Sequence, residues 1–209
     1  MITRRNGVAA VIILAAVLLL QSCATLSEMA SALADLQRLK FRLSGVHDFK
    51  LLGIDLSGKS RIGDFSAGDG VKALQAYQTK KLPVELVLDV LAVNPNDGTG
   101  GTRRSTSTLT GLECRLVIDD KPTVTGNIDR PIEIPGTGQE SVIQLRLSLD
   151  LLEFFGDRRY EDLLGLALAI GGKNRTAARL SLDARPTVST PVGPITYPSR
   201  ITIVSTEFR

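Results

Sequence analysis

Apolar and polar side chains alternate along most of this sequence, and a period of two predicts strands with one face on a core. The clearest run covers residues 84–93, in which every second side chain is apolar. Residues 112–119, 143–149 and 178–184 repeat the pattern against charged or polar neighbours. Further extended segments are predicted at residues 41–56, 123–128 and 200–205. The chain is therefore predicted to be mainly β, with about seven strands.

Two segments show a helical period instead. Between residues 24 and 40, leucine and methionine side chains recur at spacings of three and four, which predicts a helix with one apolar stripe. We interpret this helix as a tether that carries the chain onto the domain; a partly disordered tether is the alternative. A second, shorter helix is predicted at residues 71–81, before Pro83.

Residues 150–170 predict a pair of helices. Asp150 is expected to cap the first, Gly156 to break the run, Asp157 to cap the second, and Gly171 with Gly172 to end it. The segment carries more apolar residues than one helix face needs, so it either packs into the core or lines a lipid-binding groove between helix and sheet. The candidate groove residues are Leu151, Leu152, Phe154, Phe155, Leu163 and Leu166.

Strands separated by turn signals, with helices over an end or a face, are typical of a β-sandwich with accessory helices. The Asp119-Asp120-Lys121-Pro122 stretch is one such turn. Aromatic residues make up only 4% of the chain and tryptophan is absent, so branched aliphatic side chains are expected to fill the core.

The first 22 residues are typical of a signal peptide. Arg4 and Arg5 precede an uncharged apolar run from Val8 to Leu20, which is shorter than the roughly 20 residues that span a bilayer. The run ends in Leu20-Gln21-Ser22-Cys23, which resembles the lipobox of bacterial lipoproteins. An ordinary anchor helix is the alternative, and export by a twin-arginine route fits the sequence less well.

Lipidation of Cys23 would make this residue the start of the mature protein. Residues 23–40 would then form the lipidated N-terminus and helical tether, and residues 41–209 the sandwich. Loss of Arg4 and Arg5 lowers the formal net charge from +3 to +1, so the basic composition does not indicate a nucleic-acid partner. Ala24 follows the cysteine where aspartate would resemble an inner-membrane retention signal, which favours the periplasmic face of the outer membrane.

The sequence offers little that predicts catalysis. His47 is the only histidine, which excludes a multi-histidine metal site and leaves one candidate base. Cys114 falls on the apolar face of its strand, where a thiol is buried and inert; a nucleophile is the remote alternative. Once Cys23 is lipidated, Cys114 has no thiol partner for an internal disulfide. We therefore expect no enzyme activity, no cofactor and no metal.

An ordered set of short motifs suggests a family. Asn94-Pro95-Asn96 ends the best strand, where proline stops the ladder and an asparagine side chain can form an Asx-turn. Three further motifs follow in order. They are a strand at Leu112–Asp119, Gly126 before Ile132-Glu133-Ile134-Pro135, and the turn Thr190-Pro191-Val192-Gly193. In this order the motifs resemble the late embryogenesis abundant type 2 family, also called the water-stress and hypersensitive-response (WHy) domain. The likeness covers residues 41–205.

The resemblance implies an immunoglobulin- or fibronectin type III-like sandwich that is not an enzyme and serves desiccation or other stress. The expected function is thus a membrane-anchored sandwich in envelope stress tolerance or protein interaction. A periplasmic lipid-binding or lipid-transfer module is the alternative. Expected partners are the membrane, through Cys23, and envelope proteins or lipid. The chain departs from the family in a longer loop at residues 97–104 and in the helices predicted at residues 71–81 and 150–170.

Overall fold

A computed structural model of the chain describes residues 29–100, 104–173, 179–191 and 193–208. The signal peptide, the lipobox and Cys23 lie outside these residues, so the predictions on them stay predictions. Within the described ranges, no helix is both long enough and apolar enough to cross a membrane.

The described residues form a mainly β fold with two antiparallel sheets, which confirms the prediction of a mainly β chain. In chain order the strands are β1 (Lys40–Leu51), β2 (Ile54–Asp55), β3 (Pro83–Val93), β4 (Ser107–Ile118), β5 (Lys121–Gly126), β6 (Ile132–Ile134), β7 (Glu140–Asp150), β8 (Leu180–Thr190), β9 (Gly193–Thr196) and β10 (Ile201–Ile203). One antiparallel sheet has the order β2-β1-β3-β7. The other has the order β10-β8-β4-β5, with β6 also paired to β4 and β9 to β8.

Alternation along the strands builds one core between the two sheets. In β3 every second side chain from Val84 to Ala92 is buried, as predicted. The inward residues of β4, β7 and β8 belong to the same apolar cluster, so both sheets contribute to one core. At Gly126 of β5 a Cβ atom would collide with Leu147 of β7, which shows how closely the sheets approach at this edge.

Four α-helices accompany the sheets in the described residues. Helix α1 covers residues 29–38. The others are α2 (Ala67–Thr79), α3 (Leu151–Phe155) and α4 (Tyr160–Gly171), and a 3₁₀ turn at Ile62–Asp64 precedes α2.

The structure confirms one of the predicted helix starts and corrects two others. Helix α2 begins before the predicted residue 71, because Ser66 and Asp69 form a capping box around its first turn. Asp150 caps α3 by accepting from the Leu152 amide at 3.0 Å, as predicted. The prediction that Asp157 caps α4 is wrong, since the N-cap is Arg159 and its side chain makes no capping hydrogen bond.

The strand register places the helices at opposite ends of the molecule. Lys40 pairs with Val93 and Leu51 with Val84, so β1 begins at the end where β3 finishes. Helix α1, which leads into β1, therefore lies at that end. Helix α2 leads into the start of β3, and Pro83 pairs with the last residue of β7, from which α3 follows. Eleven residues of β3 separate the two ends, a distance of about 35 Å.

Cys114 is fully buried on the inner face of β4, which confirms its predicted position. Burial raises the pKa of the thiol to about 11, so the reactive thiolate is scarce at neutral pH. In a Cys23→Ser variant, where Cys114 is the only thiol, we expect a maleimide reagent at pH 7 to leave the folded protein unlabelled. The same reagent should label the protein fully in guanidinium chloride. Fast labelling of the folded protein would contradict this assignment.

Candidate functional site

The side chain of Asn94 is the hydrogen-bonding centre of the end where β3 finishes. Its Nδ2 donates to the backbone oxygens of Ser105 at 2.8 Å and Ile134 at 3.0 Å, and lies 3.3 Å from the Ser107 hydroxyl. Its Oδ1 accepts from the amide of Asn96 at 3.1 Å, which is the predicted Asx-turn. The residue has no exposed surface. One amide thus joins the end of β3 to the start of β4 and the end of β6.

Asn96 connects the same end of the molecule to α1. Its Nδ2 donates to the backbone oxygen of Asp35 at 3.2 Å, near the last turn of the helix. Its backbone oxygen accepts from the Ser105 amide at 3.0 Å. Leu36 and Leu39 are buried beside these contacts, in agreement with the apolar stripe predicted for the helix. The motif Asn94-Pro95-Asn96 is therefore a structural junction in which Pro95 ends the ladder.

The loop after β6 passes very close to this junction. A Cβ atom at Gly136 would clash with the backbone oxygens of both Asn96 and Ser105. Gly138 then donates its amide to the Asn94 backbone oxygen at 3.1 Å. Only glycine therefore fits at residue 136, and sequence reasoning missed it because the constraint comes from segments that are distant in sequence.

The second predicted turn connects β8 to β9. Thr190 and Gly193 are paired across the hairpin, and the Thr190 hydroxyl donates to the Gly193 oxygen at 2.6 Å. Gly193 has a φ of +111°, which favours glycine. Pro191 precedes the one hairpin residue outside the described ranges. These contacts are all local, so Thr190, Pro191 and Gly193 form a turn rather than a binding site.

His47 lies on the outer face of the first sheet. Its Nε2 is 3.1 Å from Asp89 Oδ1 and its Nδ1 is 3.3 Å from Asp48 Oδ2. The Gln144 amide nitrogen lies 3.4 Å from the same Nε2. Both ring nitrogens thus have polar neighbours on an open sheet surface. No group of three or more histidine, cysteine or acidic side chains suited to a metal ion occurs in the described ranges.

The six candidate groove residues divide into two groups. Leu151, Phe155, Leu163 and Leu166 are buried in the core. Leu152 and Phe154 are half-buried and pack against that core. The structure thus brings four of the six together as packing between helix and sheet, and Leu152 borders a surface cleft.

An apolar cavity lies instead beneath α2. It has a volume of about 130 Å³ and borders the β1–β2 turn, the 3₁₀ turn, α2 and the start of α4. Its lining side chains are almost all apolar: Leu51, Leu52, Ile54, Ile62, Phe65, Ala73, Leu82 and Leu164, with Gly70, Asp69 and Tyr160. Sequence reasoning missed this cavity because its walls come from five separate segments.

A larger, open cleft of about 720 Å³ lies next to this cavity, and Tyr160 borders both. Lys80, Lys81 and Arg158 supply positive charge to the cleft. Arg158 is already engaged, since it pairs with Asp119 at 3.1 Å and lies over the Phe155 ring. The cleft lining thus contains charges of both signs, since Asp150 and Glu153 also border it, and it shares Tyr160 with the apolar cavity.

Helix α2 covers the cavity without a tight fit. Of its residues only Ala76 is buried, while Val71, Leu74 and Tyr77 are 67%, 58% and 69% exposed. The ring of Tyr77 meets the ring of Tyr160 edge-on, with 6.3 Å between their centroids. The helix thus presents apolar side chains to solvent and small residues to the cavity.

Comparison of the chain with protein-family models, curated proteins and solved structures gives no match. The resemblance to the late embryogenesis abundant type 2 family therefore depends on the order of the motifs quoted above.

We expect Asn94→Ala to destabilise the fold. The change removes the partners of the Ser105 and Ile134 oxygens and of the Asn96 amide, and each buried group left unpaired costs about 1–3 kcal/mol. Chemical denaturation should show a loss of at least 2 kcal/mol in the free energy of unfolding. Asp55→Ala is the matched control, because Asp55 Oδ1 also accepts from a backbone amide, that of Ser57 at 2.8 Å, but both residues are exposed, so water can replace it. Equal stability of the two variants would contradict the junction.

Gly136→Ala should also destabilise the protein, because the added methyl group meets two backbone oxygens that cannot move aside independently. We expect a cost of about 1–3 kcal/mol, as for other overpacked sites. Gly58→Ala is the control, since a Cβ atom there meets open space. Thermal unfolding of both variants would measure the difference, and a Gly136→Ala protein as stable as the control would refute the close approach.

Proposed function

We propose that the chain is a lipid-anchored, non-catalytic lipoprotein of the late embryogenesis abundant type 2 kind. Its two sheets would form an immunoglobulin- or fibronectin type III-like sandwich on the periplasmic face of the outer membrane. There it would serve envelope stress tolerance or bind other envelope proteins. The lipobox at Cys23 and the order of motifs from Asn94 to Gly193 support this proposal.

The main structural support is the firm attachment of α1 to one end of the domain. The Asn96–Asp35 hydrogen bond and the buried side chains of Leu36 and Leu39 hold the helix against the Asn94 junction. Only a few residues separate Cys23 from the described start of α1. A membrane anchor at Cys23 would therefore connect to a rigid end, leaving the end with α2, α3 and α4 for other contacts.

The surroundings of Cys114 support a non-catalytic role. The thiol is buried in the core and its pKa is raised by that burial. His47 lies on an open sheet face between Asp48 and Asp89, and Asp48 also lines a surface cleft of about 390 Å³. The burial of Cys114 therefore favours the non-catalytic proposal, whereas the position of His47 does not bear on it.

A deletion strain tests the stress role. Recovery after drying and after osmotic shock should fall in the strain, and wild-type protein supplied from a plasmid should restore it. Complementation with the Cys23→Ser chain should fail if the anchor is needed. Normal recovery of the deletion strain under both treatments would refute the stress role and leave the protein-interaction and lipid-binding candidates.

A lipid-binding or lipid-transfer module is the second candidate, and the apolar cavity beneath α2 favours it. Native mass spectrometry of the purified chain should then show a bound lipid, or binding of lipid from vesicles. A protein that carries no lipid and accepts none would rule out this candidate without affecting the first.

Cys23→Ser should abolish lipid anchoring, because the thiol is the only group at that site that can take a thioether-linked lipid. We expect released, unlipidated protein or uncleaved precursor in fractionated cells, as measured by immunoblotting and mass spectrometry. Cys114→Ala is the control, since it removes the other thiol but not the lipobox. A Cys23→Ser protein that is processed and fractionates with membranes like its parent would disprove the lipoprotein assignment.

A further inference from the structure

The cavity beneath α2 has the chemistry of a hydrocarbon site. Its wall is almost wholly apolar, and its one carboxylate, Asp69, is engaged by Lys59 at 3.2 Å and by the Ser66 amide at 2.9 Å. An enclosed cavity of about 150 Å³ with apolar walls can bind benzene. The volume of about 130 Å³ therefore accommodates roughly six carbon atoms of a single chain and excludes the paired chains of a phospholipid.

Tyr160 supplies a hydrogen-bond donor at the border of this cavity. Its hydroxyl oxygen is buried and has no hydrogen-bond partner in the described residues. Burial raises the pKa of the phenol, so the group keeps its proton and can donate. A buried polar atom without a partner is rare in folded proteins, and an oxygen atom of a ligand in the adjoining cleft would satisfy it.

Charged side chains, with two lysines among them, line the cleft beside Tyr160. Lys80 and Lys81 line the adjoining cleft, and neither has a carboxylate within ion-pair distance in the part of the chain that the structure describes. The cleft also contains two carboxylates, Asp150 and Glu153. Asp150 already accepts from the amides of Leu82 and Leu152. Lys80 and Lys81 therefore face one carboxylate in the cleft lining, Glu153, that has no such partner in the described residues.

We propose that this end of the molecule binds a single-chain carboxylate amphiphile of fatty-acid type. The terminal carbon atoms of the hydrocarbon chain occupy the cavity beneath α2, and the rest of the chain lies in the adjoining cleft. There the carboxylate accepts from the Tyr160 hydroxyl and pairs with Lys81. The proposal rests on the lipid-binding candidate above and narrows it to one chain and one acidic head. Loosely packed α2 allows entry, because few of its side chains are held by the core.

Photo-crosslinking of the full-length chain in phosphatidylcholine nanodiscs tests this site. The probe is decanoic acid with a diazirine at the end of its chain, and the crosslinked residues are mapped by mass spectrometry. We expect saturable adducts on residues 51–54, 62–73 and 160–164, which unlabelled decanoate removes by competition. Decanol and decyltrimethylammonium with the same diazirine should label these residues at least tenfold less.

Three variants separate the parts of the site. Ala73→Phe fills the cavity and should reduce the mapped adducts at least tenfold, and Tyr160→Phe removes only the hydroxyl and should weaken decanoate labelling several-fold. Lys81→Glu should also weaken decanoate labelling several-fold. Lys72→Glu is the control, because it makes an equal charge change at an exposed residue of α2 outside the cleft lining, and it should leave decanoate labelling unchanged. Circular dichroism checks folding, and if Ala73→Phe fails to fold, the isosteric Tyr160→Phe decides.

Three outcomes would overturn the proposal. These are decanoate adducts spread over the whole surface, equal labelling by the neutral alcohol, and full labelling of a folded Ala73→Phe protein. A chain that carries diacyl lipid in native mass spectrometry but shows no saturable decanoate adduct would keep the lipid-binding candidate and refute the single-chain ligand. Stress recovery of the deletion strain is independent of each of these results.

Discussion

The buried amide of Asn94 is the interaction on which the arrangement of this fold depends. Pro95 removes a donor where β3 ends, and the neighbouring backbone then needs other partners. The Asn94 side chain supplies them for the start of β4, the end of β6 and the Asn96 amide. Since Asn94 and its bonds to Ile134 and Asn96 are buried, solvent does not replace the amide there, and the three segments hold their positions together.

The same junction decides where α1 lies. Because Asn96 is fixed by the Asx-turn, its side-chain amide is directed to the last turn of α1, where it meets the Asp35 oxygen. A helix with only a few buried leucines gains its orientation from this contact. The junction therefore transmits the position of any anchor at the N-terminus to the sheets, and the opposite end lies about 35 Å away along β3.

Much of the strand structure could be predicted because burial on one face imposes a period of two that is visible in a single sequence. The alternation in β3, β4 and β7, the Asx-turn at Asn94 and the burial of Cys114 all depend on local pattern. Helix starts were less predictable. The capping box of Ser66 and Asp69 outweighs the glycines in the first turn of α2, whereas Arg159 begins α4 without any side-chain cap.

The apolar cavity could not be predicted from the sequence, since no periodicity reports where five separate segments meet. The apolar excess in residues 150–170 was visible, but most of it is used for packing: Leu163 and Leu166 are buried against the sheets. The cavity arises on the other side of α4, where α2 contributes Gly70 and Ala73 rather than larger side chains.

The apolar wall beneath α2 has an energetic consequence. The pocket opens to solvent, and covering apolar surface gains about 25 cal/mol per Å². A leucine in place of Ala73 would cover part of that wall at little cost in helix propensity. Bound hydrocarbon would cover the same wall reversibly. The small residues of α2 are thus better explained by an occupant than by the packing of the domain alone, and this is the physical reason for assigning the ligand to this end.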